Sequence, residues 1–149
     1  MFNQKHIKNI EKFINNTNSS FNTYSLGSLK IISSLFGTHQ RLFNKVGMHA
    51  MIYSNHFRKQ FNECNSMAEI DIFTNLPYNI NGWGYYKTLV GQVWEETENS
   101  KTWRHGGNLF QGLLYYFTKN NCVQGIENMN LIIKLICLII ILFVIIYIY

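Results

Sequence analysis

The sequence has few of the features that support catalysis, disulfide frameworks or nucleic-acid recognition. Of its 149 residues one is proline and three are cysteine, and 14% are charged. It contains no Gly-x-Ser-x-Gly, His-x-x-x-His or Cys-x-x-Cys pattern, so it offers no nucleophile elbow and no paired metal ligands. The formal net charge of +5 comes from scattered Lys and Arg without a basic run. Specific nucleic-acid binding is therefore not expected.

The N-terminus lacks an apolar stretch followed by a small-residue cleavage site. We therefore expect no secretory signal and a cytosolic location for most of the chain. Cys64, Cys122 and Cys137 show no framework spacing, and Cys137 lies within an apolar run. Reduced thiols are expected rather than a disulfide.

The longest hydrophobic run lies at the C-terminal end of the sequence. It reads LIIKLICLIIILFVIIYIY from Leu131 to Tyr149, and Lys134 is its one charge. As a helix this run would be about 28 Å long, which matches a hydrocarbon core of about 30 Å. We predict a single-pass transmembrane helix over 129–149, a tail anchor in contact with the lipid bilayer. Lys134 would flank the span and extend toward the headgroups.

Apolar residues at helical spacing predict a mainly α-helical domain before this anchor, with one short hairpin as an alternative. Ile7, Ile10 and Ile14 predict a helix over 4–15. A polar stretch over 15–20 follows and would leave that helix loosely attached. Other helices are predicted over 24–36, 46–61 and 86–94, and after Asn108. The predicted domains are an N-terminal helix and linker (1–20), an aromatic-rich helical domain (21–128) and the anchor (129–149).

Two residues are candidates for catalysis, although no catalytic residue is assigned. His105 precedes two glycines, and backbone amides in such a turn can face a developing oxyanion. The alternative is a structural loop whose glycines let Trp103 and His105 pack against the next helix. Cys64 could be a thiol nucleophile, or an inert cysteine at a helix end. A non-enzymatic protein is favoured, and a membrane-anchored enzyme using His105 or Cys64 is the alternative.

No metal or cofactor site is predicted. His49 and His56 would share one face of the predicted 46–61 helix. They would then lie about 10 Å apart along its axis, too far for one metal with ligand bonds near 2 Å. We interpret them as the polar edge of a packed helix.

Aromatic residues are concentrated between 83 and 117. Trp and Tyr are enriched in the hot spots of protein interfaces and at membrane surfaces, although they also build cores. We predict a partner or membrane interface that includes the following residues: Trp83, Tyr85, Trp94 and Trp103.

The sequence resembles the small envelope and envelopment proteins of large insect DNA viruses, of the baculovirus and nudivirus type. The resemblance is one of organisation and covers the terminal anchor and the aromatic block at 83–117. It implies a tail-anchored virion or host-membrane protein whose cytosolic head contacts a viral structural or envelopment protein. A membrane-remodelling or pore-forming protein is a further alternative.

Overall fold

The structure is a computed structural model that describes residues 3–17, 21–63, 81–91 and 109–148. The chain forms two compact units, Met1–Val90 and Gly91–Tyr149. The domain boundaries predicted from the sequence, at residues 20 and 128, stay a prediction.

A mixed sheet forms the centre of the first unit. Strand β1 (Thr23–Ser33) pairs antiparallel with β2 (His39–Tyr53). The short strand β3 (Gly82–Tyr85) pairs parallel with β1 and antiparallel with β2. Each of the three described strands therefore pairs with the other two, and they close into a small barrel.

Irregular backbone in the β1–β2 hairpin accompanies this closure. The register between the strands shifts three times, between Gly27 and Leu29, between Lys30 and Ile32, and after Ile32. In addition, Ala50 has a φ of 53°, in the left-handed region that residues with a side chain rarely adopt. Because bulges bend a strand and increase its twist, they allow β2 to reach both β1 and β3.

Helix α1 (Gln4–Thr17) packs against this sheet. Ile10 is buried with Phe21, Tyr24 and Tyr85, and Phe13 packs beside them. The predicted helix over 4–15 is thus confirmed, but its loose attachment is wrong. The apolar face of the helix covers the core of the first unit.

Helix α2 (Asn55–Glu63) begins directly after β2. Its first turn is capped by Ser54, whose Oγ accepts a hydrogen bond from the N–H of Phe57 at 3.1 Å. Phe57 is buried, and its ring stacks on that of Tyr53, with 5.5 Å between the ring centroids.

The predicted mainly α-helical fold is wrong, because the head is built on a mixed sheet. The predicted helix over 24–36 is mostly strand β1. The first half of the predicted helix over 46–61 is the end of β2, whereas residues 55–61 are helical and belong to α2. Gly27 and the β-branched pair Ile31–Ile32 favour a strand over a helix. The bulges interrupt the alternation of apolar and polar side chains that would have indicated a strand. The apolar residues of these segments happen to recur at helical spacing instead, and this spacing led to the wrong prediction.

The second unit contains two helices among its described residues. Helix α3 (Leu109–Thr118) is followed by α4 (Cys122–Ile148), and their packed faces bury Leu114 and Gly125. Oδ1 of Asn121 accepts a hydrogen bond from the N–H of Gln124 at 3.2 Å and so caps α4. The sequence predictions of a last helix in the head and of a C-terminal apolar helix are confirmed.

Candidate functional site

Helix α4 is long and apolar enough to cross a membrane. It has 27 residues, and none of its most apolar 18-residue window is buried. At about 1.5 Å per residue the helix extends roughly 40 Å, more than the hydrocarbon core of a bilayer. Among the described residues it is the one helix that meets these criteria. An exposed apolar surface of this length is consistent with contact with lipid.

Lys134 lies in the half of α4 nearer to the head. It is followed by fourteen helical residues without a charge, Leu135–Ile148, which alone reach about 21 Å. The lysine can therefore extend toward the headgroups while the uncharged part stays in hydrocarbon. Its predicted role as a flank of the anchor remains a prediction.

Two of the four residues predicted for an interface lie in β3. Tyr85 is fully buried in the core of the first unit. Trp83 is partly exposed, and the guanidinium carbon of Arg41 lies 5.7 Å from its ring centroid. Nε1 of Trp83 donates a hydrogen bond to Oδ1 of Asn81 at 2.8 Å, which fixes the orientation of the indole. The predicted interface role stays a prediction, and of this pair only Trp83 reaches the surface.

The other candidates from the sequence lie outside the described residues. These are the catalytic candidates Cys64 and His105 and the interface candidates Trp94 and Trp103. The paired histidines of the predicted 46–61 helix are in different elements, because His49 belongs to β2 and His56 to α2. They do not form the edge of one helix.

Two histidine–tyrosine pairs lie where α1 meets the sheet. Oη of Tyr24 and Nδ1 of His39 are hydrogen-bonded at 2.8 Å, and Oη of Tyr85 and Nδ1 of His6 at 2.9 Å. The ring of Phe13 stacks on that of His39, with 4.1 Å between centroids and 10° between planes. We call these five residues the histidine–tyrosine cluster. It links α1 to all three described strands.

Burial keeps part of this cluster uncharged. It raises the pKa of Tyr24 well above its usual value, and the neighbouring Tyr85 raises it further. Burial also lowers the pKa of His39 below 6.5. At neutral pH both groups are therefore neutral, so their hydrogen bond joins two uncharged partners. The described members of the cluster include no carboxylate or thiol, and the arrangement suits attachment of α1 better than acid–base chemistry.

A lysine is buried beside the cluster. Nζ of Lys30 donates hydrogen bonds to Oε1 of Gln40 at 3.2 Å, to the carbonyl of Tyr86 at 3.2 Å, and to the carbonyl of Tyr85. Because Tyr85 is the last residue of β3 and Tyr86 follows it, the lysine holds the end of that strand against β1. A buried ammonium is stable only when several acceptors replace its water, and here they do.

Sequence reasoning missed these residues because their partners are distant along the chain. Tyr24 and His39 are 15 residues apart, and His6 and Tyr85 are 79 apart. No local spacing carries that information. Within the part of the chain that the structure describes, no three His, Cys, Asp or Glu residues are placed to hold a metal ion.

The tip of the β1–β2 hairpin has an exposed apolar surface. Phe36 is 79% exposed, Phe43 is 60% exposed, and Ile32 on β1 is 53% exposed. Ile32 pairs with Asn44 and Ser33 with Leu42, so Phe43 is the extra residue of a bulge. We call these three apolar residues the hairpin-tip surface. Exposed aromatic side chains can serve as partner contacts when they form one patch.

Comparison with known proteins finds no matching family model, no matching curated protein and no matching solved structure. The functional argument therefore depends on the geometry described above.

Proposed function

We propose that this chain is a single-pass membrane protein whose α+β head contacts a protein partner at the membrane surface. The observation that carries the proposal is α4, whose apolar surface is long enough to cross a bilayer and is left uncovered. A helix in hydrocarbon also satisfies its own backbone hydrogen bonds, which an irregular segment could not do.

Basic residues support a cytosolic head. Lys119 precedes the proposed span, and Lys134 lies within it, close to its N-terminal end. Lysine close to a transmembrane segment favours the cytosolic side during insertion. A protease added outside sealed vesicles should then digest the head of the full chain, whereas protection of the head would reverse this orientation.

The hairpin-tip surface is the part of the head that we propose as the partner contact. Its two phenylalanines are exposed, whereas Tyr85 and Phe57 of the same unit are buried. When Phe36 and Phe43 are replaced by serine, proximity labelling in cells should therefore no longer label the protein that is labelled most strongly by the unaltered chain. The same change at the exposed α1 residues Glu11 and Lys12 serves as the control. Equal labelling by both variants would argue against this contact.

The resemblance in organisation leads us to propose a viral envelope, or a host membrane used in envelopment, as the place of action. The support for this is the combination of one apolar helix and a small head. Recovery of the protein with purified enveloped particles, resistant to external protease only when the membrane is intact, would test it.

Membrane insertion is tested by introducing charge into the centre of α4. Ile139 and Leu142 are exposed on α4 and can be replaced by arginine without altering the head. Each replacement should weaken insertion by about 3–4 kcal/mol, since arginine at a helix centre costs about 3 and the lost aliphatic residue contributed about 0.5. Fifteen Leu, Ile, Val and Phe between Leu131 and Ile148 contribute about 7 kcal/mol in total on that scale. The double variant should therefore be extracted from membranes by alkaline carbonate, whereas the unaltered chain should not.

A control must separate insertion from attraction of positive charge to anionic lipid. Arginine at Phe36 and Phe43 adds the same two charges at exposed positions outside α4. That variant should remain in the membrane pellet. If alkaline carbonate extracted the unaltered chain, the α4 double variant and the Phe36/Phe43 variant to the same extent, the proposed span would be contradicted.

A further inference from the structure

Helix α3 is apolar on two opposite faces. Leu114 and Thr118 are buried on one face. Leu109, Leu113 and Tyr116 are 83%, 44% and 64% exposed. These three follow the i, i+4, i+7 spacing of a single helical face. Their face lies opposite the buried one, since successive residues turn by about 100°. We call it the outer face of α3.

The composition of α3 matches a helix in contact with lipid. Its sequence, LFQGLLYYFT, contains no charged residue. A helix that is apolar all round is typically buried in a large core or in a membrane. With ten residues α3 extends only about 15 Å, half of the hydrocarbon thickness, so it cannot span a bilayer. It could instead lie against the bilayer beside α4 without crossing it.

Close packing fixes α3 against the first turns of α4. A side chain at Gly125 would overlap the backbone of Phe117 and Thr118, so the helices touch there without intervening side chains. Ile126, Met129 and Asn130 of α4 are buried as well. Only residues 119–121 join the two helices, and such a short connection is typical of antiparallel neighbours. In an antiparallel pair, equal rise from the contact at Gly125 would set Leu109 at about the level of Lys134, where the charge-free part of α4 begins.

The end of α3 nearer to the loop has the chemistry of a headgroup region. Nζ of Lys119 lies 5.1 Å from the ring centroid of Tyr116. Tyrosine and lysine are favoured at this depth, because each combines an apolar body with a polar end. Along the outer face the residues thus change from aliphatic, beside Lys134, to aromatic and charged at the loop. This gradient follows the change from hydrocarbon to phosphate.

We propose that the outer face of α3 is embedded in the interfacial region of the bilayer that α4 crosses. The inference depends on the proposed membrane span. It adds a second contact with lipid, in which α3 enters one leaflet beside α4 without crossing the bilayer. In this arrangement lipid covers the outer face of α3. Coverage of the outer face by protein, from a second copy of the chain or from residues 92–108, would instead shield it from lipid. Quenching by lipid-borne groups distinguishes lipid cover from protein cover.

The test measures the depth of single positions in the full chain. A fluorescent amino acid excited above the tryptophan range is introduced at Leu109, at Ile140 or at Gln124. Ile140 lies in the middle of the proposed span, and Gln124 is exposed near the capped end of α4. Each variant is reconstituted in phosphatidylcholine–phosphatidylserine vesicles with or without a lipid whose acyl chain carries a nitroxide quencher near the headgroup.

The proposal predicts that the probe at Leu109 loses emission with the shallow quencher, because this position would lie within the acyl region near the headgroups. The Gln124 probe should be quenched less than the Leu109 probe, because Gln124 lies at the headgroup end of the helix pair, and the Ile140 probe should be quenched more by a nitroxide placed deeper in the chain. Quenching at Ile140 but not at Leu109 would overturn the proposal and leave the span intact. A blue-shifted Leu109 probe without quenching would show protein cover and also overturn it. Absence of quenching at Ile140 would instead refute the span itself.

Discussion

Replacing Gly125 with alanine should separate α3 from α4 locally. The added Cβ would overlap the carbonyl oxygen of Phe117 and lie 2.7 Å from its carbonyl carbon and 2.8 Å from Cα of Thr118. Since these are backbone atoms, no change of rotamer can relieve the overlap, and the helices must move apart. Overpacking of this kind costs roughly 1–3 kcal/mol. Alanine in place of glycine returns about 1 kcal/mol of helix propensity, so the expected net loss is about 0–2 kcal/mol.

Gly112 provides a matched control for this prediction. It lies in α3, and an added Cβ would meet no atom within 4 Å. Gly112→Ala should therefore stabilise α3 by about 0.5–1 kcal/mol through helix propensity alone. Amide hydrogen exchange of peptides covering 109–118, measured on the full chain in micelles, should be faster in Gly125→Ala and slower in Gly112→Ala. Slower exchange in both variants would refute the tight contact between the two helices.

Two further predictions concern the first unit. Ser54→Ala should lower the free energy of unfolding by about 1 kcal/mol because α2 loses its cap, whereas Ser54→Asp should retain most of the capping stabilisation. Chemical denaturation followed by tryptophan fluorescence measures the stability of both variants. Equal losses in the two variants would exclude capping by Ser54. Burial lowers the pKa of His39 below its value of 6.5 in an unfolded chain, so folding favours the neutral ring. Its stabilising contribution is complete above pH 6.5 and is lost as the pH falls through the folded-state pKa. His39→Phe should then show a smaller loss of stability between pH 7.5 and 5 than the unaltered chain, and identical slopes would contradict the assignment.

The elements that the sequence predicted correctly are those with local causes. Helix α1 follows from Ile10 and Ile14 at helical spacing, and α4 follows from an apolar run too long for an ordinary core. Both signals are complete within the segment itself. Tertiary contacts then add to them, as when Ile10 enters the core, but do not change the type of element.

The sheet was missed because its causes are not local. Strand β1 depends on pairing with β2 and with β3, which lies more than 50 residues later in the sequence. The register shifts and the left-handed Ala50 remove the regular alternation that marks a strand from sequence. The remaining signals were composition, namely Gly27 and the β-branched residues at 31 and 32, and these were outweighed by helical spacing. Strand propensity depends strongly on context, so the error is of the expected kind.

Aromatic residues have two roles in this chain, and burial separates them where spacing cannot. Tyr85 and Tyr116 both belong to the aromatic block from which an interface was predicted. Tyr85 is fully buried and hydrogen-bonded to His6, whereas Tyr116 is exposed beside Lys119. The same residue type thus builds a core in one unit and an uncovered surface in the other. A tyrosine ring with a hydrogen-bonding end suits both settings, so its identity alone cannot assign the role. For Tyr116 the neighbouring apolar helix supplies the missing information: if α4 crosses a membrane as proposed, tyrosine beside it lies where interfacial aromatic residues are enriched.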